Sequence, residues 1–166
     1  MNEKPVPDEA AIWQRRFASQ ANNRAWTLSE SVSRTPEEDE EMLQAAHAAM
    51  YLWKIVGNAK NHAHAAQLVA HVYALLGLAG PAQRFQAKSQ PVFFGDGAEL
   101  WELAMAHAVA ANVAAATMDA VAHREHYEKA VSLIDALPDA EKKILGATLR
   151  VVPAPDDRSS AARGES

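Results

Sequence analysis

The chain contains no cysteine, which excludes disulfide bonds and any site that depends on a thiolate. Glycine is scarce, with 7 residues, while alanine, the best helix former, supplies much of the apolar fraction. No stretch alternates apolar and polar residues as a half-buried strand does. With 166 residues, the chain is too short for two ordinary domains. The sequence therefore predicts a single all-α domain.

Clusters of basic residues are also missing, and the formal net charge is -5. Binding to a nucleic-acid backbone needs clustered lysine and arginine side chains that neutralise phosphates. The modest acidic excess serves mainly solubility. We therefore expect no nucleic-acid partner.

Long apolar segments are absent too. The most apolar run, residues 103–118, is rich in alanine and interrupted by His107 and Asn112, so it is too polar to span a membrane. Residues 1–11 lack the apolar core of a signal peptide. We expect a cytoplasmic protein with no membrane partner.

Recognisable catalytic motifs are lacking. The sequence has no glycine-rich phosphate loop, no Gly-x-Ser-x-Gly turn and no constellation of paired carboxylates. No feature of the sequence identifies a nucleophile, a general base or a cofactor. The sequence thus favours a protein that is not an enzyme, with no catalytic residues and no cofactor to assign.

What the chain does contain is a series of helix patterns, clearest in residues 36–79. Thr35, Pro36 and Glu38 form a capping-box signature that starts one helix, and a turn at Gly57 and Asn58 leads to the next. An earlier helix should begin at Asp8. Its predicted buried stripe consists of Trp13, Phe17, Ala21, Ala25 and Leu28.

Later boundaries follow from proline and from a second capping signature. A short helix from Pro81 should end before Pro91, because the residue preceding a proline avoids the helical region. Asp96 with Glu99 should start a long central helix, and further helices follow to about residue 152. We predict about seven helices in antiparallel pairs, one domain over residues 8–151, and disordered termini at residues 1–7 and 153–166.

Two stretches resemble the tetratricopeptide repeat, a solenoid of antiparallel helix pairs. Residues 68–89 contain alanine, tyrosine and Leu-Gly at similar spacing, followed by an aromatic residue. Residues 123–138 contain Tyr-x-x-Ala and a closing proline, as in the second helix of a repeat. The resemblance implies a tetratricopeptide-like array.

A more specific resemblance is to a family of uncharacterised bacterial proteins with tetratricopeptide-like folds. It covers about residues 38–85 well and the remainder only in outline. The matching residues are Ala46, His47, Trp53, Val56, Gly57, Asn61, Val72, Tyr73, Leu76 and Gly77. This resemblance implies the fold but no activity.

The first functional hypothesis is a module that binds a protein or peptide on the concave side of its helix pairs. Histidines and aromatics on helix faces are the candidates for contact, since a buried histidine needs hydrogen-bond partners and Trp101 stands near a helix start. For His47 the alternative is a core histidine hydrogen-bonded to Asn61 or to a backbone carbonyl group. The candidate binding residues are His47, Asn61, His64, His71, Tyr73, Trp101 and His107. A homodimer stays open.

An alternative hypothesis is a helical protein that binds a small molecule or metal in a pocket lined by His47, His64, His71 and His107. His64 and His71 are seven residues apart, about 10.5 Å along a helix, which is too far to bind one metal without another helix. His123 and His126 could chelate, but no matching Glu-x-x-His pair accompanies them. We therefore assign no metal ligands.

Overall fold

The computed structural model describes residues 7–156 and folds them into seven helices without a strand in that range. The prediction of an all-α fold is thereby confirmed for the residues that the structure describes. None of these helices is both long and apolar enough to cross a membrane. The helices are α1 (Pro7–Ser29), α2 (Pro36–Val56), α3 (Ala59–Leu75), α4 (Ala79–Phe93), α5 (Leu100–Ala116), α6 (Ala120–Asp135) and α7 (Asp139–Arg150).

Consecutive helices pack in pairs, and the pairs stack side by side. The most extensive contacts lie within α1–α2, α3–α4 and α5–α6. The odd-numbered helices also touch in order, α1 with α3, α3 with α5, and α5 with α7. One side of the molecule is therefore formed by successive odd-numbered helices.

The turn between α2 and α3 depends on Gly57. Its N–H donates to the carbonyl oxygen of Trp53 at 2.7 Å. A Cβ at residue 57 would lie 2.6 Å from that oxygen and 2.8 Å from Cβ of Asn61, so a larger residue would displace the backbone. Asn58 and Asn61 then cap α3 reciprocally, each side chain 3.0 Å from the other's backbone nitrogen. The predicted turn is confirmed.

The predicted buried stripe of α1 is wrong at its aromatic positions. Trp13 is 48% exposed and Phe17 is 51% exposed, whereas Ala18, Ala25 and Leu28 are buried. Small residues let two helices approach closely, because the distance between helix axes depends on the side chains at the contact. The α1–α2 interface therefore uses alanine, and Trp13 and Phe17 stack on each other outside it, 6.0 Å apart.

Helix α4 continues through Pro91 to Phe93, so the predicted stop before Pro91 is also wrong. Pro91 lies in the last turn of the helix, so its missing N–H removes one hydrogen bond, to the carbonyl of Ala87, near the end of the ladder. Phe93 is fully buried against Ala63 of α3 and Ala106 of α5. Burial of this ring, worth about 1.5–3 kcal/mol, favours continuing the helix.

Helix α5 starts at Leu100, and its capping pair is Glu99 with Glu102 instead of the predicted Asp96 with Glu99. The Glu99 N–H donates to Oε2 of Glu102 at 2.9 Å. This shift of one turn directs the Glu102 side chain into the protein, where it is 1% exposed. The expected central position of α5 holds, because 11 of its 17 residues are buried.

Residues 153–156 follow α7 and contact α6. Nε2 of His123 lies 2.7 Å from the carbonyl oxygen of Pro153, and Nη2 of Arg124 donates to that of Asp156 at 2.6 Å. The sequence did not predict these bonds, since backbone acceptors need no particular side chain. Residues 1–6 and 157–166, the rest of the predicted disordered termini, lie outside the described residues.

Candidate functional site

An open groove of about 430 Å³ crosses the odd-numbered helices, with one contribution from α2. We call it the inner groove. Aromatic surface comes from Trp26 of α1, Trp53 of α2 and Trp101 of α5, and side-chain amides come from Asn22, Asn23, Asn61 and Gln67. Glu30, His64, Met105 and Ile144 complete the lining. The groove thus combines flat apolar surfaces with groups that both donate and accept hydrogen bonds.

A buried carboxylate organises one end of the inner groove. Oε1 of Glu102 lies 3.0 Å from Nε2 of His64, and Oε2 lies 2.9 Å from Nζ of Lys60. Burial raises the pKa of Glu102, but the backbone N–H of Glu99, together with Lys60 and His64, outweighs this and holds the pKa below its usual value. Glu102 is therefore ionised at neutral pH.

The same carboxylate fixes the ring of His64. Burial lowers the pKa of His64 more than Glu102 raises it, so the imidazole is neutral at pH 7. A neutral ring beside a carboxylate donates from Nε2, which leaves Nδ1 as a hydrogen-bond acceptor. The ring lies parallel to Trp101, with 5.4 Å between centroids and 3° between planes.

Two buried polar nitrogens on α3 lack partners among residues 7–156. Gln67 lines the inner groove and is 2% exposed, and its Nε2 makes no hydrogen bond there. One turn later, Nδ1 of the fully buried His71 accepts a bond from Asn112 at 3.0 Å, while Nε2 is unpaired. Burial lowers the pKa of His71 to about 3, so the ring is neutral and Nε2 carries its hydrogen.

His47 and Tyr73 contact each other away from the inner groove. Nε2 of His47 lies 2.8 Å from the Tyr73 hydroxyl oxygen, and both rings pack on Phe85 with centroids 5.8 Å away. Burial lowers the pKa of His47. The proposed partner Asn61 instead caps α3, because its position in the first turn places its amide at the backbone of Asn58.

His107 pairs with His126 of α6, with 2.9 Å between their Nδ1 atoms, and Phe94 packs edge-on against His107 at 4.9 Å. Burial lowers the pKa of His107 to about 4, with a smaller contribution from the neighbouring His126. One ring therefore donates to the other in their neutral forms.

The structure brings only part of the predicted set together. Asn61, His64 and Trp101 line the inner groove, and His71 lies against Trp26 of its wall, with 5.5 Å between ring centroids. The four histidines proposed around one pocket have four different environments. Within residues 7–156, no three histidine, aspartate or glutamate side chains gather as a metal-binding cluster.

Sequence reasoning missed several important groove residues. Trp53 falls on the apolar stripe of α2, which predicts burial, and Trp26 carries no signal that distinguishes it from other aromatic residues. Gln67 could have been found, because it is a polar residue within the most apolar stretch of α3. A buried amide at such a position needs a partner.

Comparisons of this chain with protein families, with characterised proteins and with solved structures found no match. Any inference about function therefore rests on the geometry of the chain itself.

Proposed function

We propose that this chain is a tetratricopeptide-like module that binds an extended peptide segment of a partner protein in its inner groove. Stacked helix pairs of this kind create extended concave surfaces used for binding. The odd-numbered helices here touch in succession, and residues from all four line one groove. This placement is what a repeat-type binding face requires.

The unpaired Nε2 of Gln67 is the observation that carries the proposal. A buried donor without an acceptor costs roughly 1–3 kcal/mol. Gln67 lines the groove, so a turn of its buried side-chain amide would let Nε2 donate to a peptide carbonyl oxygen, an acceptor that every residue of an extended peptide offers. Asn22 and Asn23 add amides that can pair with further backbone groups, and Asn61, whose Oδ1 caps α3, adds its Nδ2 as a donor.

The tryptophans indicate which side chains the peptide should carry. Trp26, Trp53 and Trp101 present broad apolar faces, and aromatic residues of this kind often dominate binding energy at interfaces. An apolar or aromatic anchor residue would pack on the tryptophan faces, and the exposed peptide backbone on either side of it would pair with the side-chain amides. The proposal therefore specifies a peptide with at least one such anchor.

Selection from a displayed library of random 12-residue peptides, followed by titration of the selected peptides, tests this function. Three of the four tryptophans line the groove, so tryptophan fluorescence should report binding directly. Trp101→Leu should weaken binding about tenfold or more, as loss of an interface anchor does. Trp13→Leu is the matched control and should leave affinity unchanged, because Trp13 lies outside the groove.

The proposal fails if the library yields no saturable binder. It fails equally if Trp13→Leu weakens the selected peptides as much as Trp101→Leu does, because binding would then lie elsewhere on the chain.

A further inference from the structure

A second cavity, which we call the outer cavity, has a volume of about 790 Å³ and is lined by α2, α3 and α4. It shares no lining residue with the inner groove. Pockets of roughly 300–1,000 Å³ are typical of small-molecule sites. The outer cavity therefore has the dimensions of a ligand site in its own right.

The charged groups that line the outer cavity are all cationic. Lys54 of α2 and Lys88 of α4 reach it, and no carboxylate is among its lining residues. Neither lysine forms an ion pair within residues 7–156, and Lys88 instead lies over the Phe85 ring at 4.8 Å. Both charges are thus available to an anion.

The remaining surface of the outer cavity is largely apolar. Met50, Ala59, Ala63, Ala66 and Val92 line it together with the exposed Tyr51, and Ala63 and Ala66 are buried. The two histidines already have partners, since Nε2 of His47 meets the Tyr73 hydroxyl and Nε2 of His62 lies 3.0 Å from the Trp53 carbonyl oxygen. Small residues on the floor leave room for an alkyl or aryl body.

We propose that the outer cavity binds a small amphipathic carboxylate. The apolar body would lie on the alanine and valine floor, where burial of a CH₂ group is worth about 0.8 kcal/mol. The carboxylate would face Lys54 and Lys88, whose flexible stems let their ammonium groups adjust to it. This site is independent of peptide binding in the inner groove.

Octanoate is a suitable probe, with octylammonium as the ligand of equal chain length and opposite charge. Titration followed by ¹H–¹⁵N NMR should shift amides of α2, α3 and α4 around the cavity, and calorimetry should give the Kd. The double substitution Lys54→Gln and Lys88→Gln should raise the Kd about tenfold, which is the effect of about 1.4 kcal/mol. Lys143→Gln on α7, outside the cavity, is the matched control and should leave the Kd unchanged.

Several results would overturn the proposal. Equal competition by octylammonium, unchanged binding by the double lysine variant, or shifts that map to the inner groove would each contradict an anion site at this cavity. Binding of a short polyglutamate peptide without binding of octanoate would show that the cavity accepts an acidic peptide instead. Absence of saturable shifts with millimolar octanoate would also refute it.

Discussion

Nε2 of His64 lies 3.0 Å from Oε1 of Glu102, and this contact joins α3 to the first turn of α5 at one end of the inner groove. The other carboxylate oxygen serves Lys60 and the Glu99 N–H. His64 in turn stacks on Trp101, whose indole N–H donates to Oε2 of Glu99 at 2.7 Å, so Glu102 and Glu99 together hold this aromatic wall of the groove. The groove end is therefore preorganised by contacts within the chain.

Glu102→Ala should lower the free energy of unfolding by about 1–3 kcal/mol, because α5 loses its capping acceptor and His64 and Lys60 lose a buried partner. Glu102→Gln keeps a carbonyl oxygen for the Glu99 N–H and should cost less. Urea unfolding of the three proteins measures the difference. Equal losses in both variants would show that capping contributes little.

The fold was predictable where local signals agreed, as at Thr35 and Gly57. Thr35 and Glu38 form the expected capping box, with bonds of 3.2 and 2.9 Å. Errors arose where tertiary packing decided between local options. Proline normally stops a helix, but burial of Phe93 extends α4, and no local pattern reveals which ring the neighbouring helices will cover.

Gln67→Met should stabilise the free protein by about 1 kcal/mol, because it replaces an unpaired buried amide with an apolar side chain of similar length. The same change should weaken peptide binding, since the donor for a peptide carbonyl is lost. Thermal unfolding and peptide titration are the two measurements. A variant that is both less stable and unimpaired in binding would contradict the role assigned to Gln67.

Acid should destabilise the protein through His71. Its pKa is about 3 in the folded state, against 6.5 for an exposed histidine, so the unfolded chain binds the proton more readily. The stabilising contribution is complete above about pH 6.5 and is lost as the pH falls toward 3, at about 1.4 kcal/mol per pH unit. Urea unfolding between pH 4 and pH 7, at about half-unit steps, measures this slope.

His71→Leu should remove the contribution of one proton from that slope, which is about 1.4 kcal/mol per pH unit. Asn112 keeps an acceptor in this variant, because its Nδ2 also lies 3.3 Å from the backbone carbonyl oxygen of residue 71. Gln67→Met, one turn away and without a titrating group, is the control that should retain the slope. An unchanged pH dependence in His71→Leu would assign the acid sensitivity to other groups.

The structure predicts opposite effects for substitutions at two residues of α1, one exposed and one buried. Trp13→Ala should change stability by less than about 1 kcal/mol, because surface substitutions seldom cost more. Ala25→Leu should destabilise by about 1–3 kcal/mol, because Ala25 is fully buried and added atoms overpack the core. Thermal unfolding distinguishes this arrangement from the stripe predicted by sequence, in which Trp13 would be the costly site.

The sequence predicted individual residues of the candidate site but not that they lie close together. His64, Asn61 and Trp101 come from two helices, and their convergence depends on the register between α3 and α5, which single-helix periodicity does not contain. Glu102 illustrates the same limit. As a charged residue in a first turn it resembles an ordinary solvated cap. Its burial becomes tolerable because Lys60 and His64 approach the carboxylate, in addition to the Glu99 N–H of the cap itself.

Amide hydrogen exchange should be slowest in α3 and α5. Ten of the 17 residues of α3 and 11 of the 17 of α5 are buried, whereas α2 buries only Met42, Ala46 and Ala49. Exchange from the most buried elements requires opening close to global unfolding, while helices with an exposed face open locally. Residues 65–74 and 104–114 should therefore exchange last.

The sequence pattern alone would predict that the hairpin of α2 and α3 contains the slowest-exchanging amides. The exchange rate of α2 amides therefore distinguishes that prediction from the one based on burial in the structure. Its contacts with α1 use small residues, and α1 itself exposes Trp13 and Phe17. We therefore expect amides of residues 42–52 to exchange measurably faster than those of residues 104–114 under conditions where global unfolding is rare. Equal protection of α2 and α5 would mean that the α1–α2 pair unfolds only with the rest of the chain.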